Sequence, residues 1–329
     1  MTTVRSGNSP AGRSNQPSDR IVAEAAWMYY VKGLNQDRIA KALSLSRPTV
    51  ISYLRLAKER RLVDIRIAPE HYRLNALSDV LTEKFSLKSA HVVPEEALTE
   101  KELLHAVCEV AAHLLPTLLK PGDQLGVSWG TTIALVAELM PNWPIENIIV
   151  RQLIGSMANP LLNTSESCTM EISRRLSAYC VNLNAPAVCS TAELAQALRR
   201  EPIIHEQLTD LSICNKSIYS LSPCTSGTQV VHLKVATRRD IASYKKKGAV
   251  GMIAGRFFDA HGQAVLGDLD DRLLGADHEV LRAMEGQLVA SGVAKAKATL
   301  AALRGGYVDH IVVDAPLAES VVEAARAAI

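Results

Sequence analysis

The sequence predicts two units of different class, an N-terminal winged helix-turn-helix and an open, largely parallel α/β domain behind it. Three observations carry this. Basic residues crowd the first 67 positions. The punctuation of short helices and one tight turn fills residues 19–59. Beyond residue 86, apolar runs of strand length alternate with runs of helix length.

Charge divides unevenly. Residues 1–67 carry twelve Lys/Arg against five Asp/Glu, a net of +7, while the remaining 262 residues hold 24 against 29, a net of −5. A small basic head on a mildly acidic body suits a polyanion-binding module joined to a soluble receptor. At 329 residues, 48% hydrophobic but only 4% aromatic, the chain can bury two cores, filled mainly by Ala, Leu, Val and Ile. Its six cysteines form no CxxC pair and no His-interleaved metal spacing. They are expected to be reduced packing residues, with no metal and no cofactor. No run approaches the roughly 18 apolar residues of a membrane span. Residues 1–18 lack a signal-peptide core and read as a disordered basic arm, so a cytoplasmic protein is expected.

Residues 19–68 form the expected head. Ile21, Val22, Ala25, Ala26, Met28, Tyr29 and Val31 give the first helix an apolar face, ended by Lys32-Gly33. A second helix runs from Gln36 to Leu43, with Ala40 small enough for a close crossing. Ser44-Leu45-Ser46 is the turn, and Leu45 plugs the angle. Ser46 caps the third helix, and Pro48 occupies its first turn, where a missing N–H costs nothing. Val50, Ile51 and Leu54 are expected on its buried side, with Arg47, Thr49, Ser52, Tyr53 and Arg55 outward. Arg can donate bidentately to guanine, and Ser or Thr can serve base edge or phosphate. Residues 62–67 alternate enough for a wing strand.

The stretch Gly33-Leu34-Asn35-Gln36, Ile39-Ala40, Leu43, Leu45-Ser46-Arg47-Pro48-Thr49-Val50 resembles the head of the SorC family of sugar-responsive bacterial regulators. The resemblance implies that Arg47, Pro48, Thr49, Ser52 and Tyr53 face double-stranded operator DNA, with Gln36 and Arg55 completing the set. It also implies a homodimer or homotetramer. Residues 69–86 then form a linker helix, whose Leu74, Leu77, Leu81 and Phe85 share one face and could pair two subunits.

In the body, 87–329, strands are expected at 91–93, 124–127, 148–154, 180–183, 230–235, 250–254 and 310–313. Helices are expected at 100–119, 132–140, 166–178, 191–199, 277–290 and 294–303. One strand end carries chemistry: Gln124-Leu125-Gly126-Val127 runs through Ser128-Trp129-Gly130-Thr131-Thr132 into a helix. The two glycines allow close approach, three hydroxyls are at hand, and the helix start presents backbone N–H groups, a cradle for a phosphate or polyol. It is neither a Walker loop nor a dinucleotide fingerprint.

This loop is similar to the glycine-rich loop of the SorC effector domain, whose fold is related to sugar-phosphate isomerases and deaminases. Further matches are Lys247-Gly248-Ala249-Val250-Gly251, Gly255-Arg256-Phe257-Phe258-Asp259, Ser291-Gly292-Val293-Ala294-Lys295 and Val312-Val313-Asp314. The resemblance implies that Gly130, Thr131 and Thr132 hold the anionic end of a sugar, polyol or sugar-phosphate effector, with Gly126, Ser128 and Trp129 as the further effector-binding residues of the loop. It implies that Lys295 binds the charge, Asp259 accepts hydroxyls, and Gln152 is a strand-end polar contact. The chain departs from the family at Ile154-Gly155-Ser156, at 213–218 and at Ser291, which points to a ligand unlike the commonest ones. Two other readings stay open: an isomerase- or deaminase-like enzyme with a DNA-binding arm, and a DNA-binding scaffold with a decayed ligand site. The nine histidines fall in no triad or metal spacing, and no nucleophile elbow is present, which favours the sensor.

Overall fold

A computed structural model describes residues 17–63, 76–95, 98–157, 163–225 and 229–327. Contacts divide the chain into two units, Met1–Ile67 and Ala68–Ile329. In the first, α1 (Asp19–Tyr30), α2 (Gln36–Leu43) and α3 (Arg47–Glu59) pack around Val22, Ala25, Ala26, Ile39, Ala40, Val50, Leu54 and Ala57. Asn35 caps α2 by accepting from the Arg38 N–H at 2.9 Å, and Ser44 ends it in the left-handed region with φ 53°. Leu45 packs against this core from the turn. Ser46 then caps α3 by accepting from the Thr49 N–H at 3.2 Å. The wing expected at 62–67 lies outside the described residues from 64 onward, as does the arm before residue 17.

The second unit holds a seven-stranded sheet, parallel throughout, in the order β1-β10-β9-β5-β2-β3-β4. Its strands are β1 (Ser89–Val93), β2 (Gln124–Val127), β3 (Ile149–Gln152), β4 (Tyr179–Val181), β5 (Lys216–Tyr219), β9 (Glu285–Ala290) and β10 (His310–Asp314). The intervening β6 (Ser222–Pro223), β7 (Gly251–Ile253) and β8 (Arg256–Phe258) form a small antiparallel sheet. β7 and β8 make a hairpin whose two turn residues, Ala254 and Gly255, both have positive φ, 48° and 85°, as the tightest hairpin turns require.

Alternation along the strands builds two cores. Val312 and Val289 face α5 (Glu100–Leu118), α6 (Thr131–Leu139) and α7 (Ser165–Leu176), together with Leu125, Val127 and Ile218. Their neighbours Ile311, Val313, Leu288 and Ala290 face the opposite helix layer, which includes Ala296–Arg304 and Ala315–Arg326. That layer also takes α4 (Ala76–Phe85): Leu77, Leu81 and Phe85 pack against the core, on β1 and the C-terminal helix. The described part of the expected linker helix thus spends its apolar face inside its own unit rather than on a partner.

Two expected elements are of the other type. The run 230–235 is not a strand: Gln229–His232 is a helical turn, with Val230, Leu233 and Val235 buried by spacing that suits it. The expected helix 277–290 is helical only over His278–Ala283, and its second half is the central strand β9. Leu281, Met284 and Leu288 mimic a helical stripe because helix, link and strand all bury into one cluster. β5, β8 and β9 were not anticipated as strands. Five cysteines are buried and free as expected of packing residues, but Cys180 on the edge strand β4 is exposed.

Candidate functional site

On α3 the buried side is Val50, Leu54 and Ala57, spaced i, i+4, i+7. The outward stripe is Arg47, Ile51 and Arg55, spaced i, i+4, i+8. Ile51 was expected inside, yet it lies 48% exposed, because one residue past Val50 is a rotation of about 100° away from the core. Tyr53 is corrected the other way: it packs half-buried against the head's core rather than standing outward. Arg47 lies near Asp37, 3.8 Å, and its Nε donates to Gln36 Oε1 at 3.3 Å. Arg55 pairs with Glu59 at 3.5 Å. Pro48 is exposed, Thr49 and Ser52 are half-buried, and the Thr49 hydroxyl is engaged with Ser46 at 2.7 Å. Arg47, Pro48 and Arg55 therefore form a basic, solvent-facing surface with Ile51 between the arginines.

In the second unit the chain runs from β2 outward to β3 and β4, then returns to the other side of β2 for β5, β9 and β10. The crevice between the carboxyl ends of β2 and β5 is thus where the strand order reverses, the usual ligand position in open α/β sheets. A cavity of about 830 Å³ lies there. Ser128 to Thr132 line it from the end of β2, Ser220 to Pro223 from β5, Ser291 to Lys295 from β9, and Asp314 from β10. Glu95, Glu100 and Lys101 line its outer part.

Two helix starts open into this space without a side-chain cap. Gly130 precedes α6 with φ 103°, a backbone state that favours glycine, and offers no side chain to the first-turn N–H groups. Gly292, φ 96°, likewise precedes the short 3₁₀ turn Val293–Lys295 that leads into Ala296–Arg304. By contrast α2, α3, α5 and α7 each have a capping side chain. Asp314 holds the second entrance in place: its carboxylate accepts from the Gly292 N–H at 2.7 Å and the Leu317 N–H at 2.8 Å.

Lys295 reaches into the cavity wall. Its Nζ donates to Ser220 Oγ at a long 3.5 Å, and it makes no ion pair among the described residues. Burial pushes its pKa below the ordinary lysine value, while the nearby Asp314 carboxylate pulls the other way. An incoming anion would relieve that penalty. Trp129 forms one wall, buried, with an indole N–H that lacks a partner among the described residues.

Three residues expected in this site are elsewhere. Gly126 lies inside β2, where a Cβ would come within 2.5 Å of the Leu153 side chain, so its role is packing between strands and the helix layer. Gln152 is buried at the end of β3 and accepts from the Leu183 N–H at 2.7 Å, tying β3 to the segment after β4. Asp259 closes the turn after β8, accepting from the N–H groups of His261 and Gln263 at 2.8 and 2.9 Å. Ser220, Gly292 and Asp314 were missed as lining residues. Ser220 follows a strand that the sequence pattern did not reveal, whereas Asp314 just before Ala315-Pro316 carried a readable helix-cap signal.

A three-helix DNA-reading head and a switch-point cavity in a parallel sheet together define a ligand-responsive transcriptional regulator. A family model described as "Putative sugar-binding domain" matches residues 70–323. The chain belongs to the SorC family of sugar-binding transcriptional regulators. It is 33% identical over 309 residues to the uncharacterized transcriptional regulator YjhU of Escherichia coli K12, covering 92% of this chain and 94% of that one. It is 29% identical over 310 residues to the deoxyribonucleoside regulator of Bacillus subtilis 168, covering 94% and 99%. In fold it is similar to the full-length sorbitol operon regulator SorC from Klebsiella pneumoniae, with a TM-score of 0.78, 24% identity and coverage of 94% and 100%.

Proposed function

We propose that this regulator reads operator DNA with the exposed stripe of α3 and senses a small sugar, polyol or sugar phosphate in the cavity at the β2/β5 crevice. The single observation that carries the sensing half is Lys295, a cation at the wall of the cavity that closes no ion pair among the described residues. The anionic end of the effector lies between Lys295 and the start of α6 behind Gly130, and Ser220 and Ser128 stand near for hydroxyls. Gly126, Gln152 and Asp259 act on this site only through packing and turn closure.

Ligand and DNA are coupled only if the effector binds the DNA-holding and DNA-releasing states with different affinity. The head reads one half-site, so a homodimer or homotetramer is the working form, with half-sites about one DNA turn or a multiple apart. The relatives named as regulators favour a sensor over an enzyme. Calorimetry with pentoses, hexoses and polyols, phosphorylated and not, alongside a turnover assay on the same compounds, tests this. Binding without turnover is expected, and Lys295→Ala should abolish it; turnover, or full affinity in the variant, would overturn the assignment. Arg47→Ala should weaken specific DNA binding by about 1–3 kcal/mol per lost base contact while sparing effector binding.

A further inference from the structure

Among the described residues, the apolar member of the α3 stripe takes no part in the head's core. Ile51 sits outside the head's core, which Val50, Leu54 and Ala57 complete without it. It is 48% exposed, between Arg47 and Arg55, whose side chains are 60% and 72% exposed. On a helix rising about 1.5 Å per residue the three positions span about 12 Å along the axis, and the major groove is wide enough to admit the helix, so the stripe can reach several successive base pairs. Each arginine faces a carboxylate, Asp37 at 3.8 Å and Glu59 at 3.5 Å, but such exposed pairs are weak, so a polyanion can draw both cations onto itself. An apolar group held between them meets one apolar feature in the groove, the 5-methyl group of thymine. Serine or threonine here would tolerate any base pair, whereas isoleucine penalises the polar edge of cytosine, because it would bury an amino group with no acceptor.

We infer that Ile51 is a specificity-determining residue that docks against a thymine methyl in each half-site of the operator. This rests on α3 being the reading helix. The full chain is used to enrich duplexes from a random-sequence pool. Each thymine of the enriched site is then replaced in turn by deoxyuridine, which removes only the methyl. Dissociation constants are read by fluorescence anisotropy for the parent, Ile51→Ser and Arg47→Ala proteins. At one thymine per half-site, deoxyuridine should weaken the parent about fourfold, the worth of one buried methyl-sized group. It should leave Ile51→Ser unaffected there. Ile51→Val, which keeps the apolar contact, should retain most of the thymine preference and guards against a folding defect in the serine variant. If no thymine shows a methyl effect that depends on residue 51, the inference is overturned, and Ile51 faces something other than the base edges. The underlying reading fails separately: an Arg47→Ala protein that enriches the same site with parental affinity removes α3 from the groove altogether.

Discussion

The two ends of the seven-stranded sheet treat buried charge in opposite ways. At the amino end, Glu285 at the start of β9 accepts from Lys216 at 2.6 Å, from His310 Nε2 at 2.9 Å, and from Lys88. Burial alone would raise its pKa, but these donors override it and bring the carboxyl down to about 2. Burial also holds His310 below the ordinary histidine value, so its ring is neutral near pH 7. The ionised Glu285 can only accept, which puts the ring proton on Nε2 and leaves Nδ1 to accept from the Ser89 hydroxyl at 2.7 Å. Every charge there has its counterpart. At the carboxyl end, Lys295 has one long contact to a hydroxyl, and the two helix entrances beside it begin with glycines that supply no capping side chain. A satisfied network serves the fold; under the proposed function, the unsatisfied one is the part that a ligand would complete.

Breaking the amino end should have the largest effect. Glu285→Gln strands Lys216, whose side chain is only 14% exposed, and is expected to cost about 3 kcal/mol of stability by urea unfolding, since it breaks a buried pair on one side. Next, Lys295→Met should lower the affinity for an anionic effector at least tenfold, about 1.4 kcal/mol, in calorimetry. The same change should hold or raise the melting temperature, because burial penalises the Lys295 charge and its one hydrogen bond is long. A protein that loses stability at both ends would erase the contrast.

Acid titration sharpens the contrast without mutation. Glu285 has a folded pKa below its unfolded value, so its contribution is present above about pH 4.5 and is lost as the pH falls towards 2. The parent's unfolding free energy should decline across that window, and the Glu285→Gln protein should decline less steeply. Lys295 works in the other direction: its lowered pKa means anionic-ligand affinity should start to fall at a pH below the ordinary lysine value of 10.5, measured by calorimetry across alkaline buffers. The smallest effect is expected from Thr131→Val, which removes one hydroxyl and keeps the backbone N–H. A loss of a few-fold in effector affinity at unchanged DNA affinity fits it; a loss as large as that of Lys295→Met would move the anion onto the side chain.

Much of this was readable from local chemistry. Asn35, Ser46 and Pro48 set the helix boundaries of the head because capping depends on near neighbours alone. The loop from Ser128 to Thr132 showed itself by a strand, a glycine and a helix in succession. What escaped depends on distant partners. Lys216-Ser217-Ile218-Tyr219 is too short and mixed to announce a strand, and it becomes central only because β2 and β9 flank it. Glu285–Ala290 carried a helical spacing that two neighbouring strands override. Ile51 is apolar yet exposed, because the angle around the helix and not hydrophobicity decides which side faces the core. Asp259 looked like a ligand group in its motif, but two backbone N–H groups of its own turn claim it.

The pairing of β1 with β10 also sets an order of events during synthesis. Ser89 and His310, hydrogen-bonded across these strands, are 221 residues apart in the chain. β1 therefore emerges from the ribosome long before its only strand neighbour exists, and the sensing sheet closes after the last strand has been made. The head has no such wait, since its core draws only on residues between Val22 and Ala57. Short-range contacts form fast, and long-range parallel pairing is slow. Each nascent chain thus passes through a stage in which a head with its core residues made is tethered to an unfinished sheet, and the switch-point cavity, lined by Asp314 of β10, is completed last.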